Sequence, residues 1–170
     1  KIFMEISLEN FNVRRSKPFI AGKQGLPEHH ERYIAKAQGL IGLDIFSGDE
    51  VLINNIEGMQ ECHITSFDKK GLNNLNIIGC KKNSDASYIK KILTNSPDHR
   101  ILLSKLKKRN IDFYNAVSFN FFSDKSYAGE NKNFSVIEDG LILIAVPGKL
   151  MEVDSHNVAS DLEIIIKRKN

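Results

Sequence analysis

The apolar residues of this chain come in short alternating bursts separated by glycine-bearing turns, a pattern that favours a fold built from sheets. Ile2 to Leu8, Leu40 to Phe46, Val51 to Ile56, Gln60 to Phe67, Phe113 to Phe122, Leu141 to Val146 and Leu162 to Ile166 each read as a strand, with a shorter one near Phe134 to Ile137. Ser47-Gly48-Asp49-Glu50, Glu57-Gly58 and Asp139-Gly140 read as turns, because glycine supplies positive φ and short polar neighbours tolerate it. The expectation is a hairpin between Leu40–Phe46 and Val51–Ile56, a meander continuing through Gln60–Phe67, and a second hairpin at Asp139-Gly140.

The middle of the chain changes period. Ser84 stands where it can cap a helix over Asp85 to Thr94, with Ile89, Ile92 and Leu93 on one stripe. Ser96-Pro97-Asp98 repeats the start signal, and a second helix runs to about Arg109 with Ile101, Leu102 and Leu106 facing inwards. The expected fold class is mainly β (α+β): a curled β-sheet or sandwich/barrel with about two helices inserted in the middle of the chain. Residues 1–170 suit one domain by length. A first residue that is not Met and an end just after a strong strand suggest a fragment or N-terminal domain of a longer protein.

Composition excludes some classes. Apolar residues make up 41% and charged residues 26%, which fits neither a disordered nor a fibrous chain. The longest apolar runs are too short for a membrane helix, which needs about 20 residues, and no basic-then-apolar leader precedes the first strand-like stretch. Cys62 and Cys80 make no disulfide framework, so a reduced, cytoplasmic setting is expected. Net charge is +3, but Lys81 to Arg109 carries nine basic residues against Asp85 and Asp98. No aromatic-and-basic interleaving of the kind that stacks bases is visible, so neither nucleic acid nor membrane is expected as a partner.

Two segments stand out chemically. Glu28-His29-His30-Glu31-Arg32-Tyr33, in a loop running from Gly22 to Tyr33, concentrates imidazole, carboxylate and guanidinium groups. Adjacent histidines point apart and make a poor metal pair, so no tightly held metal is expected. Glu57 and Gln60 sit at the next turn, with His63 further along the strand, and Gln60, Cys62 and Ile64 share one strand face. The candidate ligand-binding residues are His29, His30, Arg32, Glu57, Gln60 and His63. Arg32 is expected to share a concavity with Gln60 and to hold a carboxylate in a two-pronged hydrogen bond. No Ser-His-Asp order and no glycine-rich phosphate loop is present, so no self-contained catalytic site is evident. The aromatic set Phe113, Tyr114, Phe119, Phe121 and Phe122 reads as core.

The stretch from Phe46 to Gly71 resembles the β-hairpin of the domain found in urea-carboxylase-associated proteins. The residues that carry the likeness are Gly48, Asp49, Glu57, Gly58, Gln60, Phe67 and Asp68, joined later by Asn120, Phe122, Asp161 and Leu162. Gly25 to Leu40 is closer to the version fused ahead of glycine cleavage T-protein-like aminomethyltransferases. The resemblance covers about Gly22 to Lys82 and Phe113 to Arg168 and leaves out the helical middle. Stand-alone members carry a cysteine-containing, metal-associated pattern where this chain has Ile165, Ile166, Lys167 and Arg168, which favours the fused version.

The resemblance implies an accessory, substrate-handling domain acting on a methylated amine or amino acid. It implies no cofactor in this domain, and tetrahydrofolate in an associated or covalently linked aminomethyltransferase domain. The alternatives are a stand-alone small-molecule (amide or amine) enzyme using Glu57, Gln60 and the His29-His30 loop with a metal, or an interaction module docking through its basic helices.

Overall fold

The computed structural model describes residues 26–148 and 159–169. The strand expected at Ile2 to Leu8 lies outside those residues. Among the described residues there are eight strands: β1 (His30–Ala35), β2 (Leu40–Ile45), β3 (Glu50–Asn55), β4 (Cys62–Asp68), β5 (Phe119–Phe121), β6 (Glu130–Ser135), β7 (Gly140–Ala145) and β8 (Leu162–Lys167). Between β4 and β5 lie α1 (Ser87–Asn95) and α2 (Arg100–Lys108).

The strands form two four-stranded antiparallel sheets, ordered β1-β8-β3-β6 and β2-β7-β4-β5. That order describes a jelly roll. The inner faces interleave aliphatic side chains. Val51 and Ile53 stand opposite Ile166 and Ile164, Ile64 stands opposite Ile144, and all six are fully buried. A second core lies on the outer face of the β2-β7-β4-β5 sheet, where Ile89, Leu93, Leu106 and Phe113 cover Phe67, Leu141, Leu143 and Ala145. Strand β7 is therefore buried on both faces, which explains its unbroken apolar run.

The pairing differs from the expected hairpins. β2 and β3 belong to opposite sheets, as do β3 and β4, and β6 and β7. At the first crossing Asp49 folds its carboxylate back to accept from the Phe46 N–H at 3.0 Å. The backbones of Gly48 and Asp49 then pair with Val136 at 2.8 Å each, so the turn bonds to the β6–β7 connection instead of closing on β2. Asp139 likewise accepts from the Ser47 N–H at 2.7 Å and tethers that connection across the gap. Gly140 is required there because a Cβ would lie 2.2 Å from the Phe67 carbonyl oxygen.

Four local readings also shift. His30 to Ala35 is an edge strand and not the end of a loop. The stretch expected as a strand from Phe113 contributes only Phe119–Phe121. Asp85, not Ser84, meets the start of α1, its Oδ1 accepting from the Ser87 N–H at 3.0 Å. A short 3-10 turn, Pro97–His99, sets the phase of α2 so that Leu102, Leu103 and Leu106 face inwards while Ile101 is 74% exposed. Leu106→Ala should cost about 2–5 kcal/mol in urea unfolding, whereas Ile101→Ala should stay within about 0.5 kcal/mol. Equal costs at the two positions would contradict this phase.

Candidate functional site

The structure separates the six candidate residues. His29 is exposed at φ +61°, and the His30 ring nitrogen Nδ1 lies 2.8 Å from the Glu28 carbonyl. Arg32 is on the outer face of its sheet, paired through Nε with Glu163 at 2.5 Å, and Glu163 also accepts from Asn54 at 3.0 Å. Glu57 is exposed on its turn. Gln60 is buried, and its side chain serves the backbone. Nε2 donates to the carbonyls of Glu61 at 2.9 Å and Pro147 at 2.8 Å, while Oε1 accepts from the Ser160 N–H at 3.0 Å. Arg32 and Gln60 therefore share no concavity, and Gln60 clamps both ends of the β7–β8 connection.

Six of the residues that carry the resemblance, Asp49, Gly58, Phe67, Asp68, Asp161 and Leu162, hold the scaffold. Asp49 is 2% exposed at a sheet crossing. Gly58 has φ +78°, and a Cβ there would meet Ala128 N at 2.7 Å and Ser126 O at 2.8 Å. Asp68 accepts from the Lys70 and Leu72 amides, and Asp161 accepts from the Ala37 amide. Phe67 and Leu162 are fully buried. These are the turn and packing requirements of a jelly roll.

Arg168, which sequence reading placed only as a departure from a cysteine pattern, is the densest ionic node. Its Nε and Nη2 grip Glu31 at 3.0 and 2.7 Å, Nη1 reaches Asp49 at 2.6 Å and the Asp44 carbonyl at 3.1 Å, and the guanidinium lies over the Phe46 ring at 5.3 Å. The hydrogen bond from Arg168, with a further one from Tyr33, holds the Glu31 carboxyl below its ordinary range.

His29 lines a cleft of about 360 Å³ beside Arg168, and His63 backs onto another only through Tyr88. The strand position of His63 turns it to the helix-covered face of the sheet, where its ring meets that of Tyr88 on α1 edge-on, centroids 5.7 Å apart. Its Nε2 lies 3.5 Å from a Glu61 oxygen. Burial lowers the imidazole pKa, and Glu61 opposes that only in part. Burial also raises the Tyr88 phenol. Both groups are thus held neutral near pH 7, His63 able to take a proton and Tyr88 able to donate a hydrogen bond. Tyr88 fronts a cleft of about 510 Å³ with Gln38, Lys91, Ile92, Asn95, Ser96 and Gly148. Tyr88, with Lys91, Asn95 and Ser96 beside it in a half-apolar cleft, has the polar convergence usual in a binding site. Sequence reading missed Tyr88 because it sits beside the apolar stripe of α1. Among the described residues, no three His, Cys, Asp or Glu side chains converge as metal ligands, and no helix is long and apolar enough to cross a membrane.

Fold and cleft together define a jelly-roll domain with a polar cleft under its helical cover. No family model matches the chain. Over 144 residues it is 30% identical to the trimethylamine-oxide aldolase of Ruegeria pomeroyi, an alignment that takes in 84% of this chain and 18% of that protein. The chain thus spans less than a fifth of the length of the curated relative it matches.

The His63 ring protons should titrate below the ordinary imidazole value of 6.5 when followed by NMR. An unfolded chain takes up that proton near pH 6.5 and the folded one only at lower pH. This contribution to stability is therefore full above pH 6.5 and is lost as pH falls through the folded midpoint. A midpoint above 6.5 would mean that Glu61 outweighs burial.

Proposed function

We propose that this chain is a substrate-handling domain of a larger enzyme that acts on methylated amines. The observation that carries the reading is the alignment of 84% of the chain with part of a much longer protein named for trimethylamine oxide. On this reading the Tyr88 cleft receives the amine or its N-oxide: the Tyr88 hydroxyl, which otherwise donates to the Val146 carbonyl at 3.4 Å, turns to the N-oxide oxygen, and Ile92 and the stems of Lys91 and Gln38 meet the methyl groups. The chemistry supports this division of labour, since a neutral phenol is a good donor to an N-oxide and requires no charge buried beside the methyl groups.

Transfer chemistry would lie elsewhere. On this reading an associated aminomethyltransferase-like domain holds tetrahydrofolate and this jelly roll presents substrate to it. The packed aliphatic interior between the two sheets supports a presenting role over catalysis inside the sandwich.

The reading is tested by titrating the chain with trimethylamine oxide and following amide and aromatic NMR signals. Shifts should centre on Tyr88, Lys91 and Ser96, and Tyr88→Phe should weaken binding about 2- to 10-fold, the worth of one hydrogen bond. Shifts centred elsewhere, or an unchanged affinity in Tyr88→Phe, would contradict it.

A further inference from the structure

The open edge of the sandwich, where β5 and β6 face each other, carries a second cleft with a different chemistry. The aromatic residues expected in the core divide here. Phe113 is buried and Tyr114 is 61% exposed, while Phe119, Phe121 and Phe122 are half-buried at this mouth. Phe119 and Phe121 stack at 5.6 Å, and Phe121 meets Phe134 edge-on at 5.5 Å across the gap between the sheets. The result is an aromatic floor that solvent can reach.

Lys132 supplies the charge. On β6 it stands in register with Ile53 and shares the inward face of Phe134. Its ammonium reaches across the mouth to lie 5.7 Å from the centre of the Phe119 ring. Among the described residues it enters no ion pair. The cleft beside it measures about 400 Å³ and is lined by Cys80, Lys81, Phe119, Lys132, Asn133 and Ser135, with Gly79, Ile78, Phe134 and Ile137 around them. Two ammonium groups, an amide and a hydroxyl face this space, and no carboxylate does. An inward lysine on an edge strand also discourages sheet-to-sheet aggregation, but that role calls for neither an aromatic floor nor a cavity.

We propose that this cleft is a binding site for a small organic anion with a flat conjugated body, the ring stacking on Phe119 and the acid group held by Lys132 and Lys81. The proposal goes beyond the methylated-amine reading and is independent of it. A cationic amine would meet two like charges here.

The test uses the 170-residue chain with 2-naphthoate as probe and neutral 2-naphthalenemethanol as its uncharged counterpart, followed by amide and ring-proton NMR. Naphthoate should bind with a dissociation constant on the order of 1 mM, with shifts at Phe119, Lys132 and Asn133. Affinity should fall about 3- to 10-fold in Lys132→Gln and fall again with added salt. Lys132→Gln changes an exposed side chain and leaves the fold intact, whereas Lys91→Gln, in the Tyr88 cleft, should leave naphthoate binding unchanged. Absence of binding at 10-fold that concentration would overturn the proposal. So would equal affinity for the neutral alcohol, an unchanged affinity in Lys132→Gln, or stronger binding of tetramethylammonium than of naphthoate at this mouth. None of these outcomes bears on trimethylamine oxide at Tyr88.

Discussion

The closure of this jelly roll depends on one guanidinium. Arg168 follows the last strand, yet it fixes Glu31 on the first strand, Asp49 at the first crossing between sheets, and the carbonyl of Asp44 on the strand entering that crossing. One side chain thus joins elements that are 137 residues apart and belong to both sheets. A planar fork suits the task, because Glu31 takes two parallel bonds while the remaining nitrogen serves Asp49. Asp49 is nearly inaccessible to water, so without Arg168 a buried carboxylate would keep only two backbone donors, Phe46 and Lys169. At the opposite end of the sandwich Gln60 does comparable work with neutral groups, drawing Pro147 and Ser160 together.

Asp49, Gly58, Gln60, Asp68 and Asp161 stand at crossings, tight turns and clamps. They specify how two sheets are stitched. The polar groups Tyr88, His63 and Lys132 lie outside that set, on the helical cover, the sheet face beneath it and the open edge.

Much of the fold was legible because periodicity survives in short strands. The strands at Leu40, Val51, Leu141 and Leu162 and both helices lie where their apolar spacing puts them. Sheet partnership was not legible: a four-residue turn closes a hairpin or crosses to the facing sheet with the same sequence, and only Val136, far along the chain, decides between them. β1 was hidden by its own polarity, since an edge strand needs apolar residues on one face only and here spends that face on Glu31, Tyr33 and Ala35. Gln60 was legible as a polar residue on an apolar strand face, but two of its three backbone partners, Pro147 and Ser160, come from distant segments. Arg168 was invisible as a node for the same reason.

The central claim, that Arg168 and the buried Asp49 act as one unit closing the sandwich, is tested most directly by a double-mutant cycle. Unfolding free energies of the chain, Arg168→Leu, Asp49→Asn and the double variant would be compared in urea at neutral pH. The structure predicts that each single change costs about 2–4 kcal/mol and that the double variant recovers a coupling of about 1.5–3 kcal/mol. Additive losses, with coupling below about 0.5 kcal/mol, would contradict the claim and leave Arg168 an ordinary surface cation.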